Sequence, residues 1–175
     1  MRVVAGEARG RQIVAPEGNR TRPTSDRVRE SVFNMLFSLQ ATGEVTVLDL
    51  YAGCGALGIE ALSRGASNCV FVEQDHRAVE CIRSNLDALG YGERSTVIQA
   101  DVLSWVAQNS DSFDVVLADP PYADDSWIAL LDDIDSRWLV AEAGTSVEQH
   151  PRWDVVREKT YGTTVVTVFA RQGSA

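Results

Sequence analysis

Residues 119–122 read Asp-Pro-Pro-Tyr and close the apolar run Val115 to Ala118. A proline pair cannot continue a helix, because each ring lacks an amide hydrogen and disfavours the helical region for the residue before it. The stiff corner must therefore follow a strand. It fixes backbone and side chain together, so that the Asp119 carboxylate and the Pro120 carbonyl can both accept hydrogen bonds from one exocyclic NH2. Pro121 stiffens the turn, and Tyr122 offers a face on which a base can stack. An aryl amine is a poor nucleophile, since its lone pair is delocalised into the ring, and polarising and aligning it is most of the catalysis such an acceptor needs. Asp119 could also take the proton released as nitrogen becomes cationic, or that proton could leave afterwards to water. The bland reading of the same four residues is a structural turn.

A second group lies upstream. Gly53-Cys54-Gly55-Ala56-Leu57-Gly58 has G-x-G-x-x-G spacing at a strand-to-helix turn, where backbone can approach a nucleotide closely. Glu73, 18 residues after Gly55, closes the next strand, where an acid can accept from both ribose hydroxyls. An adenosine-containing cofactor follows, in one of two classes. A dinucleotide would place its pyrophosphate on the loop amides and the helix N-terminus. S-adenosylmethionine has no phosphate and carries a sulfonium, so nearby acids favour it: Asp49 is placed for the methionine ammonium and Asp101 for the adenine amino group. Singly, Asp49 and Asp101 also read as helix caps after strands; jointly with Glu73 they suit a cation and repel pyrophosphate.

These residues need a doubly wound frame. From residue 45 the pattern is strand, loop, helix, repeated: strands in "VTVLDLYA", "NCVFVEQD", "STVIQAD" and "FDVVLADPPY", helices in "ALGIEALSRG", "HRAVECIRSNLDALG" and "VLSWVAQN". Such alternation implies an α/β, Rossmann-like fold with parallel strands covered on both faces. Then "SWIALLDDID" reads as a helix, "GTSVEQH" as a strand, and "WDVVREKTYGTTVVTVFARQ" as a closing antiparallel hairpin turning at Tyr161-Gly162-Thr163. In front, "RVVAG" and "RQIVAP" suggest a small hairpin, and "RPTSDRVRESVFNMLFSLQ" an amphipathic helix with Val28, Val32, Met35, Leu36 and Leu39 on one face. Thr24 or Ser25 would cap it, with Asp26 in its first turn and Gly43 beyond its end. One domain over 1–175 is expected, with 1–44 a basic hairpin-helix extension and 45–175 the catalytic core.

The composition, 45% hydrophobic and 23% charged, is that of a soluble globular chain, and no apolar run approaches a membrane span or a secretory signal. A cytoplasmic monomer without membrane contact is expected. Cys54, Cys69 and Cys81 form no Cys-x-x-Cys pair, and His76 and His150 are isolated, so neither disulfide nor metal site is expected. The net charge of −9 is uneven. Residues 1–30 hold seven arginines against four acids, a balance of +3, and the remaining 145 residues carry −12. Any polyanion is thus expected at the front, where Arg9, Arg11, Arg22 and Arg27 lie; a solvated arginine-rich strand pair is the bland alternative.

With these residues in hand, the chain resembles the class I S-adenosylmethionine-dependent methyltransferases of exocyclic nucleobase nitrogens, marked by [DNS]-Pro-Pro-[YF]. It is more closely similar to the bacterial RsmD family, which methylates the exocyclic N2 of the guanine at position 966 of 16S ribosomal RNA. "RVVAGEARGRQIVAP" and "RPTSDRVRESVFNML" carry that likeness most specifically; "LDLYAGCGALGIEALSRGA", "DVVLADPPY" and "REKTYG" extend it along nearly the whole chain. The resemblance implies cofactor contacts at Asp49, Gly53, Gly55, Glu73 and Asp101, a target-amine site at Asp119, Pro120, Pro121 and Tyr122, and roles for Arg22, Thr24 and Arg27 in closing the site or holding RNA. Cys54 stands where the family usually has Ser or another small residue, which puts a thiol beside the cofactor. The acidic body, with Asp124 and Asp125 after Tyr122, is a poor generic RNA surface and fits a preference for assembled 30S particles over naked RNA. Other readings are an adenine-N6 or glutamine methyltransferase, a nicotinamide oxidoreductase, or a catalytically idle RNA-binding factor. Glutamine enzymes more often carry Asn at position 119, a DNA enzyme would need a further recognition domain, and an oxidoreductase leaves Asp-Pro-Pro-Tyr unexplained.

Overall fold

The computed structural model of the chain describes residues 1–15, 25–121 and 127–173. Five parallel strands form its centre: β1 (Thr46–Leu50), β2 (Asn68–Glu73), β3 (Ser95–Gln99), β4 (Phe113–Ala118) and β5 (Ser136–Ala143). Helices α2 (Ala56–Ser63), α3 (His76–Leu89), α4 (Val102–Val106) and α5 (Trp127–Asp133) are the crossovers between them, and α1 (Asp26–Ser38) precedes the sheet. β6 (Trp153–Tyr161) and β7 (Thr164–Arg171) close it as an antiparallel hairpin about Gly162, giving the order β3-β2-β1-β4-β5-β7-β6. This is the α/β arrangement that the alternating pattern predicts.

The period-two alternation of each strand sends its apolar residues to two separate layers. Val47, Phe71, Val115, Leu117, Val140, Val166 and Val168 pack under α1, α2 and α3, whereas Leu48, Leu50, Val72, Val116, Ala118 and Phe169 pack under α4 and α5. On the second face Trp153 donates its indole N–H to the Leu131 carbonyl at 2.8 Å, which ties β6 back to α5.

Two readings need correction. The stretch 144–150 is not a strand: it is a loop apart from one bridge between His150 and Trp153. The missing strand is β5, just before it. Arg137 and Glu142 interrupt its apolar run, yet Leu139, Val140 and Ala141 are buried and Glu142 is 5% exposed. The N-terminal hairpin is also less regular than a strand pair, with a single antiparallel bridge between Arg2 and Gln12. Val3 and Ile13 are buried and bond to Arg11 and Met1, but the amides of Val4 and Ala5 turn away to the Glu60 carboxylate at 2.8 and 2.9 Å. Gly6, at φ +82°, passes so close to α2 that a Cβ would lie 1.8 Å from the Ser63 carbonyl oxygen.

Ser25 caps α1 by accepting from the Val28 amide at 3.3 Å. Val28, Val32 and Leu36 are buried as their spacing predicts, and Met35 and Leu39 pack partly against the same layer. Phe33 and Arg29 join them; Arg29, expected in the exposed basic front, is fully buried.

Candidate active site

The parallel register brings the carboxyl ends of four strands into line. Leu50 pairs with Val72 on one side and Ala118 on the other, so the Tyr51–Gly55 loop, Glu73 and Asp119 leave the sheet at one edge. Glu73 also pairs with Gln99, from which β3 runs through Ala100 to Asp101. This edge, beside the reversal of strand order, is where open α/β sheets bind ligands.

The loop is tightly wound. Tyr51, Gly53 and Gly55 have φ of +57°, +58° and +78°, and the first of these is costly for a residue with a Cβ. Three amides of the loop and the first turn of α2 are already committed. Gly53 donates to Glu73 Oε2 at 2.9 Å, Gly55 to the Ala52 carbonyl at 2.7 Å, and Gly58 to Asp49 Oδ2 at 2.8 Å. These three amides are lost to a pyrophosphate, whereas the carboxylates beside the loop suit a cation. Gly58 has a packing role: a Cβ there would stand 2.3 Å from the Phe71 ring and 2.7 Å from Cys69 Sγ, so only glycine lets α2 lie this close to β2.

The three acids differ sharply in setting. Asp49 lies inside β1 and is 2% exposed; burial pushes its carboxyl up to about 8, the Gly58 hydrogen bond opposes this, and neighbouring Glu73 adds to it. Glu73 is half-buried and binds two amides, Gly53 through Oε2 and Asp75 through Oε1 at 2.9 Å. Asp101 is exposed and caps α4 by accepting from the Ser104 amide at 2.9 Å; hydrogen bonds from the Ser104 hydroxyl and amide hold its carboxyl below the usual range. The cap reading of Asp101 therefore holds in the structure beside any ligand role, and Asp49 serves the first turn of α2 in a similar way.

At the fourth strand, Asp119 is half-buried, Pro120 is buried and Pro121 is exposed; Tyr122 lies outside the described residues, as do Arg22 and Thr24. Arg27 is exposed in the first turn of α1. Arg9 and Arg11 are not brought to this edge. Arg11 donates to the Ala88 carbonyl at the end of α3, at the amino side of the sheet, and Arg9 lies beside it in the same turn.

Two polar links were not singled out by sequence reasoning. Glu60, fully buried in α2, accepts from the Val4 and Ala5 amides and from Arg64 Nε at 2.8 Å, and lies 3.5 Å from Arg29 Nε. Arg29 in turn bonds the Arg2 carbonyl and Asp26 Oδ1, so one ionic knot joins the N-terminal segment, α1 and the helix that follows the glycine loop. The signal was available: Arg29 is in helical phase with Val32, Phe33 and Leu36, and Glu60 interrupts the apolar "ALGIEALS". Asn85 is the second link. It donates to the Cys54 carbonyl at 3.1 Å and the Val14 carbonyl at 2.9 Å, and accepts from the Val14 amide at 2.9 Å, pinning loop and N-terminal segment together. Burial raises the Cys54 thiol, which favours its unreactive protonated form.

Comparison with known proteins agrees with this geometry. Residues 1–170 match the family described as conserved hypothetical protein 95. YlbH of Bacillus subtilis is 39% identical over 186 residues, covering 99% of this chain and all of that protein. Ribosomal RNA small subunit methyltransferase D of Escherichia coli is 33% identical over 184 residues, covering 98% of this chain and 90% of that one. The solved structure of yhhF from Escherichia coli superposes with a TM-score of 0.85 at 31% identity, covering 98% and 97% of the two chains. With nearly its whole length matched in sequence and in fold, the chain belongs to the conserved hypothetical protein 95 family, the RsmD family of class I methyltransferases.

Proposed function

We propose that the protein methylates the exocyclic N2 of a guanine in 16S ribosomal RNA, the one at position 966 that the family resemblance implies, with S-adenosylmethionine as methyl donor. The observation that carries the cofactor assignment is the commitment of the loop amides of Gly53, Gly55 and Gly58 to protein acceptors. An edge with these three donors used and with Asp49, Glu73 and Asp101 around it fits a sulfonium nucleoside better than a nicotinamide dinucleotide. On this reading Glu73 holds the ribose, Asp49 the methionine ammonium and Asp101 the adenine amine, while Gly53 and Gly55 let the backbone come close. The bound cofactor supplies the electrophilic methyl. The chain's own part at β4 is to hold the amine through Asp119 and the Pro120 carbonyl, with Pro121 stiffening the corner and Tyr122 stacking the extruded base.

The names of the similar rRNA methyltransferases support the RNA substrate, and the net charge of −9 supports an assembled 30S subunit or its precursor over naked RNA. Arg22, Thr24 and Arg27 are assigned to the RNA side. Arg9 and Arg11, on the far side of the sheet, would serve only if RNA wrapped around the molecule. The reading treats 1–175 as one monomeric methyltransferase domain acting in the cytoplasm, with 1–44 its RNA-facing extension. No helix among the described residues is long and apolar enough to cross a membrane. Transfer of tritium from labelled cofactor to purified 30S particles, mapped to the nucleotide, tests the assignment: label on guanine N2 at the expected position supports it, and label on adenine or on protein overturns it.

A further inference from the structure

β6 is the outermost strand, and its two faces differ in charge. Glu158 pairs with Thr167 and is turned to the α4–α5 side, where it accepts from the Thr167 and Ser146 hydroxyls at 3.1 Å. Arg157 and Lys159 pair with Val168 and Val166, which pack in the α1 layer, so both cations stand on the α1 face. Lys159 is the one lysine of the chain and lies 5.3 Å from the Tyr161 ring centre. Tyr161 is hydrogen-bonded to Ser31, one turn beyond Arg27 on α1.

Ser31 and Tyr161 tie α1 to β6, and the strip of surface along that contact is the α1–β6 groove. Arg27, Arg157 and Lys159 line it. None of the three has a carboxylate partner among the described residues, although five other arginines do. Asp26 binds Arg29, Glu158 faces the other layer, and Glu142, on the face of Val166, is only 5% exposed; exposed Glu30, one turn from Arg27, is the acid left on this side, against three cations. Three such cations in one groove, in a chain of net charge −9, complement a polyanion.

The groove is also level with the candidate active site. Ala118 pairs with Ala141, so Asp119 falls alongside Glu142; Glu142 pairs with Val166, and Val166 with Lys159. Lys159 is therefore three strand spacings from the Asp119 row, roughly 14 Å across the sheet. A strand reaching Asp119 with one nucleotide extruded would carry its flanking phosphates over this distance.

We infer that the groove between α1 and β6 binds the RNA sugar–phosphate backbone beside the target nucleotide, through Arg27, Arg157 and Lys159. This deepens the reading of the protein as an RNA methyltransferase and rests on it. The test combines two measurements on 30S particles and on a 16S rRNA fragment. In the first, the R157Q/K159Q double variant is compared with wild type for methyl transfer and for RNA binding across a salt series. The groove predicts a KM for the RNA substrate raised about tenfold, the KM for cofactor and the kcat unchanged, and a salt dependence shallower by about two phosphate contacts. In the second, an amine-reactive acetyl ester reports on Lys159, the sole lysine, which RNA should protect and cofactor alone should not. Methyl transfer by wild type with an unchanged KM in the variant, or with Lys159 equally reactive, overturns the groove and leaves the enzyme assignment standing. RNA binding with Lys159 protected but no methyl transfer overturns the enzyme assignment and leaves the groove standing.

Discussion

The carboxyl edge of β1–β3 and the groove between α1 and β6 are built on opposite electrostatic plans. At the first, the carboxylates of Asp49, Glu73 and Asp101 are each pinned by a backbone amide, and Asp49 is buried. At the second, Arg27, Arg157 and Lys159 are exposed, and no described acid holds them. Rigid, partly desolvated acids suit one small cation held in one pose, whereas mobile solvated bases suit a polyanion whose phosphates need attraction more than exact placement. The difference offers a way for a chain of net charge −9 to meet RNA: three exposed cations gather on the α1 side, apart from the acids at the edge where the cofactor is proposed to bind.

The largest loss of stability is expected at the knot that joins the two regions. Glu60→Ala removes one of the two carboxylates beside buried Arg29 and leaves the Val4 and Ala5 amides without their acceptor, a loss of about 3–5 kcal/mol. In a chain of this size that lowers Tm by about 10 °C, measurable by calorimetry, and the R157Q/K159Q variant should leave Tm unmoved. Asp119→Ala should lower kcat by about 10²–10³ with the cofactor product still bound, because it removes the acceptor proposed for the amine; an unchanged rate of methylation would reject the role given to Asp119. Gly58→Ala should cost about 1–3 kcal/mol, since the new methyl must displace Phe71 or Cys69, and it should weaken cofactor binding along with stability.

A pH-dependent effect separates the acids. The Asp49 carboxyl is raised to about 8 in the fold from an ordinary 3.8, so the unfolded chain ionises it first. Stability from this group is greatest below pH 4 and is lost as pH rises toward 8. Asp49→Asn keeps an acceptor for Gly58 and should flatten that slope in unfolding experiments between pH 4 and 8. A cation beside Asp49 favours its ionised form, so cofactor binding near pH 7 should release a proton, seen as a dependence of binding enthalpy on buffer; Asp49→Asn should abolish the release.

Much of this contrast was legible in the sequence on the acidic side and little on the basic side. G-x-G-x-x-G, Glu73 and the Asp-Pro-Pro corner are local signals, because strand, loop and acid follow one another along the chain and the parallel register does the rest. β5 was hidden because Arg137 and Glu142 break its apolar run, and its burial comes from lying between β4 and β7. The groove was hidden for a related reason. Arg27 and Lys159 are 132 residues apart, and the closing hairpin and the Ser31–Tyr161 contact bring α1 beside β6. Arg29 read as one more surface base until its phase with Val32 and Leu36 placed it inside, opposite Glu60.

The claim on which the rest depends is that the acidic edge holds a sulfonium nucleoside, and titration calorimetry addresses it most directly. S-adenosylmethionine and its demethylated product should each bind wild-type protein with a Kd of roughly micromolar order, about −8 kcal/mol, and Glu73→Gln should weaken both about tenfold. Absence of heat with folded wild-type protein, or binding of NADH in their place, would contradict it.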